Sequence, residues 1–190
     1  MIHILSSYKE IGPLAQLGAK CFFDDVYYKA MFPDRAERKG QLESVFQSSL
    51  EIALANGITI YREDFGRLTG FASAIFYERL KETSREDFNF VFPVSDSSVR
   101  EETLALLDFV EELSPNLFLT TIAVRAENRR HGIGTDLIEN LCSLHPDFNI
   151  TSDISNLESL SLYSKLGFEI KPYSNDIAFV RKKAQPYLSL

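Results

Sequence analysis

The sequence predicts a single α/β domain, and three neighbouring observations carry that prediction. Residues 117–124, Leu-Phe-Leu-Thr-Thr-Ile-Ala-Val, form a nearly unbroken apolar and β-branched run, which suits a strand buried on both faces. Apolar residues then recur at Ile133, Leu137, Ile138, Leu141 and Leu144, one face of a helix. Between strand and helix stands Arg129-Arg130-His131-Gly132-Ile133-Gly134, whose two glycines let the backbone turn tightly and approach a ligand. A chain of 190 residues that is 45% hydrophobic supplies one adequate core, so residues 1–190 read as one domain.

From the N-terminus, residues 2–6 read as an edge strand. The first helix has two candidate starts. Gly12-Pro13 would put proline in the first turn, where its missing N–H is harmless. Ser7 to Glu10 instead carries the spacing of a capping box. Leu14, Leu17 and Cys21 supply the buried face, and residues 22–33 are rich in aromatics and acids. A long helix over residues 36–55 ends at Asn56-Gly57, a good C-cap pair. Residues 58–62 and 68–77 form a hairpin, and short strands are expected at 148–153, 168–171 and 177–181.

Residues 79–116 exceed what a hairpin needs and read as an insertion between the third and fourth strands. The insertion begins charged, passes through Phe88-Asn89-Phe90-Val91-Phe92-Pro93, and closes with a helix opened by Ser98 and Glu101. It is either a packed decoration or a wall of a substrate pocket, since loops on a rigid scaffold often carry specificity.

Bulk properties exclude several classes. A formal net charge of −7 and a pI near 5.0 argue against nucleic acid as the partner. No apolar run approaches the ~20 residues of a membrane span. Met1-Ile2-His3-Ile4-Leu5 lacks the basic start and long apolar stretch of a signal peptide, so a cytoplasmic location is expected. Cys21 and Cys142 fall in helical patterns and read as core thiols. His3, His131 and His145 show no ligand spacing, so no metal is expected.

The loop at 129–134 has the parts of a phosphate cradle. Free N–H groups in the first turn of the following helix point outward, and the helix dipole favours an anion there. A dinucleotide fingerprint would need a third glycine where Leu137 stands, and no Gly-Lys-Ser/Thr run exists for a P-loop. A tight connection with no ligand stays open on spacing alone. Charge favours a ligand: residues 125–131 hold three arginines against one acid, Glu127, in an otherwise acidic chain.

A second segment follows the strand at 148–153: Asn156-Leu157-Glu158-Ser159-Leu160-Ser161-Leu162-Tyr163-Ser164-Lys165-Leu166-Gly167-Phe168. In both segments and in their order the chain resembles the GCN5-related N-acetyltransferases (GNAT). The family's loop pattern Gln/Arg-x-x-Gly-x-Gly/Ala is met by Arg129, Gly132 and Gly134. Its later pattern, Asn-x-x-Ala and then Tyr-x-Lys-x-Gly-Phe, is met by Asn156, Tyr163, Lys165, Gly167 and Phe168, with Ser159 where alanine is usual.

The resemblance implies a mixed, mostly antiparallel sheet of about seven strands flanked by helices and splayed between strands four and five. It implies acetyl-CoA as co-substrate, bound at the pyrophosphate by Arg129, Arg130, His131, Gly132, Ile133, Gly134 and Thr135. The main chain of Ile122 and Val124 would pair with the pantetheine arm as an added strand. Asn156 would aim its amide at the pantetheine, though first-turn chemistry of a helix is its other role. Tyr163 would protonate the leaving thiolate, or else serve as a core aromatic.

The general base is not given by the resemblance, because Phe118 stands where some members place a glutamate. Glu78, Asp153 and waters leading to solvent are the candidates; Asp24 and Asp25 suit substrate-cation contacts or helix caps better. The expected function is acetyl-CoA-dependent N-acetylation of a small-molecule or peptide amine by direct acyl transfer. A non-catalytic acyl-CoA-binding regulatory module is the alternative from another class, and another acyl donor or a hydroxyl acceptor also stays open.

Overall fold

The computed structural model describes residues 1–92, 100–155 and 159–184. Two compact units are present, Met1–Ser73 with Thr121–Ile138 and Ala74–Thr120 with Glu139–Leu190.

In the first unit, β1 (Ile2–Ile4) pairs antiparallel with β2 (Gly57–Asp64), from Ile2↔Arg62 to Ile4↔Ile60. A tight turn at Phe65 and Gly66 leads into β3 (Arg67–Phe76). The first helix uses the capping-box start rather than Gly12-Pro13. A short 3₁₀ turn, Tyr8–Glu10, runs into α1 (Ile11–Phe22), and Glu10 Oε2 accepts the N–H groups of Ser6 and Ser7. Two orphan donors are thereby satisfied by one side chain.

The aromatic stretch after α1 folds into α2 (Val26–Met31), capped by Asp25, which accepts from the N–H groups of Tyr27 and Tyr28. Asp24 pairs with Arg35 at the start of α3 (Arg35–Asn56). Gly18 in α1 meets the Phe46 ring of α3 face on. A Cβ at that position would stand 2.7 Å from Phe46 Cγ, so only glycine allows this approach. Leu14, Leu17, Leu42, Phe46, Leu50 and Phe71 close the core around it. Arg38 is buried under the aromatic stretch and donates to the carbonyls of Phe23, Phe32 and Pro33.

In the second unit the expected insertion is helical: α4 (Tyr77–Lys81), α5 (Arg85–Val91) and α6 (Arg100–Glu111). The Ser98 start expected for the last of these lies outside the described residues. Then β4 (Asn116–Val124) pairs parallel with β5 (Asn149–Ile154) from Asn116↔Asn149 to Phe118↔Thr151, after which the two strands part. Beyond that point β5 keeps its other neighbour, β7 (Ala178–Lys182), out to Ile154↔Ala178, and β6 (Glu169–Pro172) pairs antiparallel with β7.

The insertion packs rather than loops. Phe109 of α6 lies 5.5 Å from the Phe179 ring of β7, and Arg181 of β7 reaches Glu112 just past the helix at 3.0 Å. Leu106, Phe109 and Val110 are buried, worth roughly 1.5–3 kcal/mol each for large apolar side chains. The remaining helices are α7 (Ile133–Leu144) and α8 (Leu160–Lys165). Strand order is β1-β2-β3-β4-β5-β7-β6, the seven-stranded mixed sheet expected, splayed where expected. Among the described residues, no helix is long and apolar enough to cross a membrane.

Candidate functional site

The end of β4 presents free backbone. Arg125 N–H donates to Thr69 O of β3 at 3.0 Å. Alternation along an antiparallel ladder then turns the N–H and C=O of Ala123 towards β3 and those of Ile122 and Val124 away from it. Pairing with β5 has already ended at Phe118. The Val124 carbonyl is occupied, accepting from Cys21 Sγ at 3.4 Å and from Arg129 Nε at 3.2 Å.

Beyond β4 a second 3₁₀ turn, Ala126–Asn128, precedes the glycine loop. Its arginines divide the work. Arg125 donates to Leu68 O, and Arg129 to the carbonyls of Val124 and Cys21, so both guanidiniums shape the loop. Arg67 engages Glu127 at 2.6 Å. Arg130 is exposed and makes no hydrogen bond or ion pair among the described residues, so the loop's available positive charge is concentrated there. His131 Nδ1 lies 2.8 Å from Arg129 O, a contact in which the ring nitrogen donates.

Backbone shape does the rest. Arg130 (φ 63°) and Gly132 (φ 80°) both take the left-handed region, which glycine enters without steric penalty. A Cβ on Gly132 would touch nothing within 4 Å, so the dihedral angle, not crowding, calls for glycine there. The first helical bond of α7 is Asp136 N–H to Gly132 O at 2.9 Å. The N–H groups of Ile133, Gly134 and Thr135 therefore precede the intrahelical ladder. The one acid of this first turn, Asp136, is ion-paired with Arg62 and does not set its charge against an incoming anion. A set of donors with one free cation fits a pyrophosphate.

The second unit holds Tyr163 and the base candidates Glu78 and Asp153. Tyr163 of α8 is 4% exposed, and its ring meets Phe168 edge-on at 5.3 Å. Phe168 N–H returns to Tyr163 O at 3.0 Å, and Gly167 N–H to Ser164 O, which ends the helix and fixes the ring. Lys165 is exposed. Asn156 lies outside the described residues. Burial, then the Asp153 charge, pushes the Tyr163 phenol well above its ordinary range.

Of the base candidates, Glu78 is committed elsewhere, accepting from Ser114 Oγ at 2.7 Å and from Asn116 N–H at 3.1 Å. Phe118 is buried against Phe92. Asp153 differs from both. Its side chain reaches solvent and has no side-chain hydrogen-bond partner among the described residues, yet burial raises its pKa. Glu102 on α6 is raised by burial and then by the Asp153 charge, so the two carboxylates are electrostatic neighbours. Glu102 is absent from the sequence candidates. The signal was its i, i+7 spacing from Phe109, which puts it on the stripe that faces the sheet.

Residues 23–168 match the sequence profile of the acetyltransferase (GNAT) family. The chain belongs to the GNAT acetyltransferases. Solved GNAT structures share its fold at low identity. One is a histone acetyltransferase HPA2 and related acetyltransferase from Corynebacterium glutamicum, with 18% identity over 98% of this chain and 99% of that one, TM-score 0.62. Another is the PaiA N-acetyltransferase from Thermoplasma acidophilum in complex with coenzyme A, with 12% identity over 96% and 99%, TM-score 0.60. The ribosomal-protein-S18-alanine N-acetyltransferase from Escherichia coli gives 14% identity over 97% and 95%, TM-score 0.53. No curated protein matches this GNAT chain in sequence.

Proposed function

We propose that this GNAT chain, insertion included, is one cytoplasmic acyltransferase domain that moves the acetyl group of acetyl-CoA directly to a small-molecule or peptide amine. The observation that carries the reading is the donor-only loop, with left-handed Arg130 and Gly132 running into the free first turn of α7. Backbone N–H groups from 130–135 and the Arg130 charge would hold the pyrophosphate; Arg129 and His131 support the loop's shape, and Thr135 can add its hydroxyl. The outward N–H groups of Ile122 and Val124 suit the pantetheine amides, and one near Val124 can polarise the thioester carbonyl as charge develops on its oxygen.

Tyr163 is the general acid for the departing thiolate. Its raised pKa keeps the hydroxyl protonated through the neutral range, as a donor must be. Asn156 is assigned to the pantetheine by the family pattern alone. The coenzyme A complex of the Thermoplasma relative supports the co-substrate. The test is release of free thiol from acetyl-CoA across a panel of primary amines. Tight acetyl-CoA binding with no release from any of them would return the protein to a binding module.

A further inference from the structure

We infer that Ser152 of β5 sets the opening that admits the co-substrate arm: its hydroxyl holds the Leu119 carbonyl of β4 in place of the Asp153 backbone N–H, and so stops the β4–β5 ladder from closing one rung further. This rests on the acetyl-transfer reading above and adds to it the residue that positions the arm.

Register shows which rung is missing. The two strands are parallel, with Asn116 opposite Asn149 and Phe118 opposite Thr151. In a parallel pair a backbone N–H donates to the carbonyl one position before the residue opposite. Asn149 N–H does so, to Pro115 O at 3.1 Å. The same register sets Thr151 on Leu117 O, and Asp153 would come next, on Leu119 O. Instead the Ser152 hydroxyl donates to Leu119 O at 2.7 Å. Its oxygen also lies 3.1 Å from Asp153 O. One hydroxyl therefore stands between two carbonyls, one on each strand, where the next main-chain rung would form. Leu119, Ser152 and Asp153 all belong to the second unit.

Burial makes this partner necessary. Leu119 is 1% exposed and Ser152 4%. A buried carbonyl without a donor is costly, so Leu119 O takes either a main-chain or a side-chain N–H or O–H. Ser152 supplies the side-chain donor and leaves the Asp153 main chain clear of β4. On the paired side of this point β5 is fastened, since Thr151 Oγ1 donates to Asn116 Oδ1 at 2.8 Å and Asn149 Nδ2 to Pro115 O at 3.2 Å.

Just beyond, β4 changes its facing. The Leu119 carbonyl turns to β5, while Arg125 N–H turns to β3, where it meets Thr69 O. In a regular strand two residues six apart face the same neighbour, so one extra residue lies between them. That bulge passes the outward positions from Leu117 and Leu119 to Ile122 and Val124. Leu119 O is the last carbonyl of the regular ladder, and its partner decides where the strands part. Paired strands stand ~4.8 Å apart, and an arm that pairs with β4 needs β5 to stand off by roughly one more such spacing. An Asp153 N–H bonded to Leu119 O would draw β5 back to the paired distance at the start of that opening. Ser152 is a positioning residue, because it touches no reacting atom and acts only through the room left for the arm.

The test uses Ser152→Ala, which removes the donor, and Ser152→Thr, which keeps it. Two ligands are titrated: acetyl-CoA, and 3′-phospho-ADP, the nucleotide half of coenzyme A, which has no pantetheine arm. In Ser152→Ala the acetyl-CoA Kd should rise ~tenfold, the scale of one lost hydrogen-bonded position, while 3′-phospho-ADP binds as it does to wild type. Without ligand, a through-hydrogen-bond NMR coupling between the Asp153 nitrogen and the Leu119 carbonyl carbon should appear in Ser152→Ala and be absent from wild type. Ser152→Thr should keep the wild-type affinities for both ligands. An acetyl-CoA Kd unchanged in Ser152→Ala, or a Kd raised equally for both ligands, would overturn the role of Ser152 and leave acetyl transfer intact. A wild type that binds neither ligand would overturn the acetyl-transfer reading and this role with it.

Discussion

The Glu78 carboxylate accepts the backbone N–H of Asn116 with both oxygens, at 3.1 and 3.2 Å. Glu78 stands where the chain leaves β3 and Asn116 where it enters β4, so one contact clasps the mouth of the insertion. Ser114 Oγ adds a third bond to the same carboxylate. Asn116 itself is buried and carries the link onward to Val110 and Thr151.

Glu78→Ala should therefore lower stability by about 1–3 kcal/mol, the range for losing hydrogen bonds to a charged group and stranding a donor. The neutral-pH turnover of the folded fraction should stay near wild type. Urea unfolding and a turnover assay on one preparation separate the two. A large drop in turnover at unchanged stability would move the general base to Glu78.

A second clasp titrates. Glu10 accepts from Ser6, Ser7 and, at 2.8 Å, the Tyr61 hydroxyl, which together hold its pKa down at about 2. A folded-state pKa below the usual 4.5 gives stability that is fully present above pH 4.5 and lost as pH falls towards about 2. Tyr61 has the opposite sign: burial, then Glu10, raises it from 10 to about 12, so its share is present below pH 10 and lost as pH rises towards about 12. Glu10→Gln should flatten the stability profile in both windows. Melting temperatures from pH 2 to 5 that fall as steeply in the variant as in wild type would contradict this assignment.

How much of this was legible in the sequence follows from how local each signal is. The strand at 117–124, the helix that follows Gly132 and the Ser7–Glu10 capping box were readable, because their causes lie within one or two turns of chain. The run of charge at 125–131 was readable, but its division of labour was not. Arg125 and Arg129 turn inward to the carbonyls of Leu68, Val124 and Cys21, acceptors on other elements that no spacing reveals. Arg38 looks like a surface residue of a long helix, yet it is buried and donates to the carbonyls of Phe23, Phe32 and Pro33, on either side of α2. Phe109 and Phe179 are far apart in sequence and meet only because α6 docks on the β5–β7 face.

The glycine loop at 129–134 yields a binding prediction. Saturating acetyl-CoA, at about a hundredfold its Kd, should stabilise the folded protein by roughly 2.7 kcal/mol and raise Tm accordingly. Gly134→Val places a branched side chain beside the free N–H groups of the first turn of α7. It should abolish the shift while the unliganded protein still melts cooperatively. Arg130→Ala, which removes the loop's free cation, should shrink the shift without abolishing it, since most of the contacts come from backbone. Equal shifts in wild type and both variants would remove the co-substrate from this loop.

Tyr163→Phe separates catalysis from binding. The substitution removes one hydroxyl and keeps the ring that packs on Phe168, so the fold should survive with its melting temperature little changed. The hydroxyl has no hydrogen-bond partner among the described residues, so removing it strands no donor or acceptor of the protein itself. If it protonates the departing thiolate, kcat should fall by ~10²-fold or more. Acetyl-CoA affinity should hardly move, because the interaction gains its strength as charge builds on sulfur in the transition state. A titration of acetyl-CoA and a turnover series on the same amine read both quantities. Equal losses in affinity and turnover would make Tyr163 a wall of the site, and full turnover with phenylalanine would pass the acid role to another group.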